Sequence, residues 1–395
     1  AFSDGEGNVA LVMTADLKGM HRPVFERTAK IIEEKFGIPR ENVILSCTHT
    51  HSAPTVGESN AEVNRWAPIY YKTFPAIVEE ALRDLDPLEG AYIGSAQAEG
   101  ISFVRRYLLA DGTYKTNPKA SDNPLSHETE ADNEMRTIRI DRKNKKDILM
   151  VNYQTHYGSA TGLYKNQYSA DFVHVFREEA EKKWDCHFVY YSGASGNLNF
   201  QSKIAGEKKY ATFVEATKEG FIPTVEGCMA GEESVSLGKL RFASNWYKAP
   251  VYQDSAEVIA KAKEANALSG NSEAYQKKLA ENGFVSSRQI EGILRRAKLG
   301  ETLDVPFYAI TFGDIGFVSA PYEMFDTNGV QVREGSPFKM TFVCSYTNGG
   351  FGYVPSSIAF PHGSYEVLIS RFCETTGDDF ADEMIRLLNN CKNQK

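Results

Sequence analysis

The chain has 395 residues, 42% of them hydrophobic and 24% charged, with 23 Phe and 20 Tyr to fill a large core, an ordinary balance for a soluble globular protein. Its formal net charge of -8 argues against a polyanionic partner such as nucleic acid. No apolar run reaches the roughly 20 residues that cross a bilayer, and the cysteines (Cys47, Cys186, Cys228, Cys344, Cys373, Cys391) lie too far apart for a disulfide framework or a cysteine-zinc site.

The first residue is Ala1, with no leader of basic then apolar residues; the end is either processed or cut, and an export signal is not legible. NVALVMTADL, at 8–17, reads as a buried strand ending in Asp16. RPVFERTAKIIEEKFG reads as a helix, with Pro23 in its first turn, Phe25, Ala29, Ile32 and Phe36 on one face, and Gly37 as its stop. A second strand at 42–47 completes a strand-helix-strand unit, which favours a parallel pair. A long helix at 61–85 and strands near 91–95, 136–141 and 148–155 follow, then a helix at 170–184 and a strand at 187–193. Residues 254–300 turn rich in Ala, Glu and Lys and predict two solvated helices around a Gly-Asn-Ser turn, a helical insertion. The stretch 306–321 predicts a hairpin with Gly313-Asp314 at its turn. KMTFVCSYT adds a strand, and a helix near 380–391 closes the chain. With no internal repeat or low-complexity linker, the fold class is α/β: a mixed β-sheet core flanked by helices in one large domain over 1–395.

Polar groups recur where apolar strands end. LSCTHTHSAP carries His49 and His51, and in an extended segment residues two apart face one side. His156 follows ILMVNYQT, Glu323 follows IGFVSAPY, and Tyr353 follows the strand FVCSY. In α/β folds active sites gather at strand carboxyl ends, and imidazole with carboxylate suits zinc. Asp16 is a candidate partner for a ligand histidine or a turn residue. His174 and His187 read as structural or exposed, His127 as exposed, and His362 as a candidate pocket residue.

Several segments together resemble the catalytic domain of the neutral, non-lysosomal ceramidases, zinc amidases that cleave the N-acyl bond of ceramides. THTHSAP resembles that family's THTHSGP, SFVRRYL its arginine element, and VNYQTHYGSATG its strand ending in a second ligand histidine. SGASGNLNF resembles its GDxSPN loop and VSAPYE its PGE element; GYVPSSIAFPHGSYE keeps its two tyrosines, here Tyr353 and Tyr365. The resemblance implies Zn2+ bound by His49, His156, Glu323 and Tyr353, with His51, Arg105 and Tyr365 facing the scissile carbonyl. It also implies a secreted or periplasmic protein of lipid metabolism, with an N-acyl lipid or another small amide or ester as substrate. Three departures accompany it. Asn197 and Asn199 stand where the family's loop has aspartate and serine, which removes a serine nucleophile and leaves attack by zinc-activated water. An aromatic, Tyr322, precedes Glu323, and the family's C-terminal immunoglobulin-like domain is not found in the chain. Ser195 lacks the second glycine of a GxSxG elbow and reads as a turn serine. Two further readings stay open: a zinc hydrolase of a soluble, carbohydrate-derived amide, ester or lactone, towards which Asn197, Asn199 and Asn348 tilt, and a non-catalytic binding module with a degenerate site.

Overall fold

The computed structural model describes residues 1–54, 66–156, 167–268 and 272–394. The expected helix start at 61–65, the turn after His156 and the first residues of the insertion's turn lie outside them.

The opening unit forms as its pattern predicts. Strand Val9–Ala15 pairs parallel with Val43–Cys47, and helix Arg22–Phe36 crosses between them, with Pro23 in its first turn and Gly37 closing it in the left-handed region. Only a residue without a Cβ takes that φ of 68° at little cost. Helix Ala67–Arg83 lies beside the first helix; Phe25, Ile32, Phe74 and Val78 share one apolar cluster over the two strands.

A second sheet runs in the order His187–Ser192, Ile148–Tyr153, Glu134–Arg142, Leu88–Gln97, Glu233–Ser234. Its first two strands are parallel and its other pairs antiparallel. Helix Phe172–Trp184 covers one face through Phe172 and Phe176, packed with Leu149, Val151 and Tyr190. The third sheet orders Leu240–Pro250, Thr302–Phe312, Ile315–Ala320 and Met340–Ser345. The expected hairpin is its second pair, closed at Gly313, where a Cβ would lie 1.8 Å from the Ser236 carbonyl oxygen. Helix Thr376–Asn393 packs Phe380, Met384 and Leu388 against this sheet's outer face.

The inner faces meet in a single cluster drawn from all three sheets, including Ile44, Ile138, Met150, Tyr191, Phe317 and Phe342. The architecture is therefore mixed α/β, sheets inside and helices outside, as the periodicities predict. Strands buried on both sides read as unbroken apolar runs for this reason.

The stretch 254–300 departs from expectation by one helix. Ala256–Ala267, Glu273–Glu281 and Ser287–Arg296 all form, capped by the hydroxyls of Ser255, Ser272 and Ser286. The middle helix buries only Tyr275 and Leu279, one i,i+4 pair, too little periodicity to read from sequence. Together the three bury a small apolar cluster of their own. Arg296 then joins them to the rest: it ion-pairs Asp254 at 2.7 Å and donates to the Ser370 carbonyl at 2.7 Å. Ser370 ends the short helix Ser364–Ile369, which carries Tyr365.

Candidate metal centre

The chain leaves strand Val43–Cys47 by a backbone conformation that β-structure does not supply. His49 has φ 61°, in the left-handed region that costs a non-glycine residue about 1–2 kcal/mol. The alternation argument for His49 and His51 therefore fails locally, yet their rings still converge, with centroids 4.8 Å apart. Several contacts hold the strained turn. His49 N donates to the Leu17 carbonyl at 2.9 Å, its Nδ1 lies 2.6 Å from the Lys18 carbonyl, and the Tyr346 ring stacks on it at 3.8 Å. With Nδ1 donating, Nε2 is left with its lone pair facing inward.

His156 arrives from strand Ile148–Tyr153, 3% exposed against 6% for His49. Its ring centroid is 4.7 Å from that of His49 and 5.3 Å from that of His51. Ligand atoms of all three imidazoles lie within 4.8 Å of one another. His51 Nε2 is 3.2 Å and Glu323 Oε2 is 3.6 Å from His49 Nε2. The edge of a tetrahedral zinc site with 2.0–2.1 Å bonds is about 3.4 Å, so these spacings fit such an ion.

Glu323 supplies the sharper indication. Its side chain is 18% exposed, but Oε2 is sealed from solvent and accepts no hydrogen bond. Burial raises its carboxyl above the usual range, and Tyr353, Arg105 and Lys18 pull the other way. An unpartnered buried carboxylate oxygen beside imidazole nitrogens is what a bound cation satisfies. Burial likewise holds His49 and His156 well below the usual histidine value, and burial with the nearby Lys18 and Arg105 charges takes His51 down to about 4. All three are thus neutral at physiological pH, the form that binds metal.

Tyr353 lies in register with Glu323 on the adjacent parallel strand, and Tyr365 packs on it at 5.6 Å, 37% exposed at the rim. Arg105 is buried. Its Nε donates to Glu366 Oε1 at 2.7 Å and Nη1 lies 3.3 Å from His156 Nδ1, whereas Nη2 has no partner. Each of the seven residues expected at the site thus lies beside at least one other of them.

The chain has the length and layers of a known fold. Two solved structures align with 96% of it: neutral ceramidase from Pseudomonas aeruginosa (TM-score 0.65, 17% identity) and a ceramidase complexed with C2 (TM-score 0.67, 16% identity). The fold is that of neutral ceramidase. The chain spans 66% and 67% of those two ceramidase chains. No protein-family model and no curated protein matches it.

Within this ceramidase fold, several supporting residues escape a sequence reading. Asp171 accepts from Thr50 Oγ1 (2.6 Å), His51 N (3.0 Å) and Ser52 Oγ (3.0 Å), clamping the histidine loop from a position 120 residues away from His51. Asp171→Asn removes one acceptor and is expected to weaken the binding of a metal ion at the histidines about 10- to 100-fold, measurable by chelator competition. Unchanged affinity would show the loop to be held without it. Glu366 orients Arg105 and also binds Arg106 Nη1 at 2.9 Å. A carboxylate beside a tyrosine is no signal by itself.

Several expectations need correction. Asp16 touches no site histidine; it ion-pairs Arg177 at 3.2 Å. The asparagines are engaged with other protein groups. Asn348 bonds Leu45 N and the Val43 carbonyl, bracing the first strand pair, and Asn199 bonds Asn117. Asn197 instead donates to Asp326 Oδ1 at 2.7 Å. His127 is part-buried against the Val104 carbonyl and Glu207, and His362 pairs with Glu128 at 2.8 Å behind Arg106. Ser195 is a turn serine, bonded to Tyr346 OH at 2.9 Å. Gly196 follows it because a Cβ there would strike the Glu323 carbonyl at 2.5 Å.

Asp326 also gives a pH dependence. Burial pushes its carboxyl up from 3.8 to about 6 despite the Asn197 bond. Its folded value lies above its unfolded one, so its stabilisation is complete below pH 4 and is lost as pH rises through 6. Denaturant unfolding between pH 4 and 7 is expected to show a decline of about 3 kcal/mol from this group. That slope should vanish in Asp326→Asn; a slope that survives would assign it elsewhere.

Proposed function

We propose that the protein is a zinc-dependent amidase acting on an N-acylated compound. The observation that carries this reading is the sealed Glu323 Oε2, 3.6 Å from His49 Nε2, beside a cluster of three neutral imidazoles within a ceramidase fold. His49, His156 and Glu323, with Tyr353 beside them, would hold the ion. When bound, zinc supplies Lewis acidity, polarising a carbonyl and bringing the pKa of water towards neutrality.

The remaining work falls to side chains. Arg105 Nη2, a buried donor with Tyr353 beside its guanidinium, would donate to the oxyanion that develops as the amide carbon becomes tetrahedral. Tyr365 OH at the rim can make a second such bond. His51 moves a proton from water to the departing amine, a role open to it because it is the least buried of the three histidines. Ser195, already hydrogen-bonded to Tyr346, is not the nucleophile.

An N-acyl lipid is the substrate that the likeness to ceramidases favours. A soluble substrate is the second reading, and the cavity against His49 and Glu323, which His51, Arg105 and Tyr365 do not line, measures about 230 Å³. Pockets for drug-sized ligands run to about 300–1,000 Å³. The zinc-loaded protein should be assayed on an N-acylsphingosine and on short-chain amides, esters and lactones. Amide hydrolysis that stops on chelation and returns with zinc is the expected result. Cleavage of esters or lactones alone would overturn the amidase reading, and no cleavage of any class would favour a binding module.

A further inference from the structure

The loop between strand Val9–Ala15 and helix Arg22–Phe36 brings one residue to the centre in two ways. The Lys18 carbonyl fixes the His49 ring at 2.6 Å. Lys18 is exposed and lines the 230 Å³ cavity together with His49 and Glu323. Among the described residues Lys18 makes no ion pair and no side-chain hydrogen bond. Gly349, Gly350 and Gly352 also line it and bring no side chains into the space. Lys18 thus shares one cavity with His49 and Glu323, and its positive charge acts on both and on His51.

An exposed lysine is ordinarily a solvated surface charge. The charge balance around this one argues otherwise. Arg105 and Arg106 are matched by Glu366 and Glu128 in a buried network. Glu323 is then the one carboxylate among the described residues lining the cavity, and a divalent cation at the imidazoles would engage it. Lys18 would face charge of its own sign, an arrangement that an anionic group on the ligand relieves. A cavity of this volume suits a short acidic moiety.

Resting on the amidase reading above, we propose that Lys18 is a specificity residue that binds a carboxylate on the amine half of the substrate, so that acidic N-acyl amides are preferred to neutral ones. N-hexanoylglycine and N-hexanoylethanolamine test this, since they share an acyl group and differ by a carboxylate against a hydroxyl. The zinc-loaded protein is expected to hydrolyse the glycine conjugate with kcat/KM at least about tenfold higher. Lys18→Met should bring that ratio to about one, Lys18→Glu invert it and Lys18→Arg restore it. Calorimetric binding of N-hexanoylglycine to the metal-free protein gives a second readout, expected to weaken about tenfold in Lys18→Met. Equal rates on both conjugates, or a ratio and affinity unmoved by Lys18→Met, overturn the assignment and leave the amidase reading intact. Hydrolysis of neither conjugate overturns the amidase reading for these substrates, and the binding comparison then decides the role of Lys18.

Discussion

His156→Ala is expected to leave the purified protein with well under one zinc per chain and to lower kcat/KM at least about 10³-fold. The imidazole is almost fully enclosed and stands within ligand distance of His49 and His51. Of the histidine group only His49 and His51 would remain, with Glu323 beside His49. His49→Ala should do the same with an added effect on folding, because alanine gains nothing from φ 61° and loses the stack on Tyr346. His156→Ala is accordingly the cleaner variant, and thermal melts of both separate metal loss from unfolding. His51→Ala should keep the ion while losing about 10²- to 10⁴-fold in rate, the span of a general acid-base group. Metal analysis that finds full zinc in both His49→Ala and His156→Ala would remove the centre. Zinc lost from His51→Ala too would make His51 a third ligand.

Arg105→Met is expected to lower kcat about 10²- to 10³-fold with zinc content unchanged, the usual effect of removing one donor to an oxyanion. The fold should survive this change better than most losses of a buried charge. Breaking a buried pair commonly costs about 3–5 kcal/mol because the partner is left without a counter-charge. Here Glu366 keeps Arg106 Nη1 at 2.9 Å and Thr116 Oγ1 at 2.6 Å, so about 1–3 kcal/mol is expected. Arg105→Lys should recover little activity, since one ammonium cannot both hold Glu366 and reach the substrate as a guanidinium fork does. Steady-state kinetics, metal analysis and denaturant unfolding of these variants provide the check. A kcat within a few-fold of wild type in Arg105→Met would exclude the oxyanion role.

The difference between legible and illegible parts of the site follows sequence distance. His49, His156 and Glu323 each stand just beyond an apolar run, where a strand leaves the core and polar side chains follow, while Tyr353 comes after a longer loop. That rule is local and needs no knowledge of partners. Asp171 clamps a loop 120 residues away, and Glu366 orients an arginine 261 residues away. Nothing near either carboxylate in the chain marks it, because each function exists only when distant loops are brought together. Asn197, Asn199 and Asn348 show the same limit in reverse: as polar residues in loops they suggested a polar pocket, but each has its amide engaged with other protein groups.

By itself the sequence determined the strand-helix-strand opening, the hairpin at Gly313, the helices outside mixed sheets, and the chemical types that would meet at the sheet edge. Periods of 2 and 3.6 and a few Gly and Pro positions carry that information residue by residue. Only the tertiary structure decided how LSCTHTHSAP presents its histidines. The left-handed backbone at His49, the Lys18 carbonyl on its Nδ1, the Tyr346 ring against its face and the Asp171 clamp beneath its loop are contacts across the fold. Orientation of a side chain within an ångström depends on packing around it, and packing has no period that a linear chain can display.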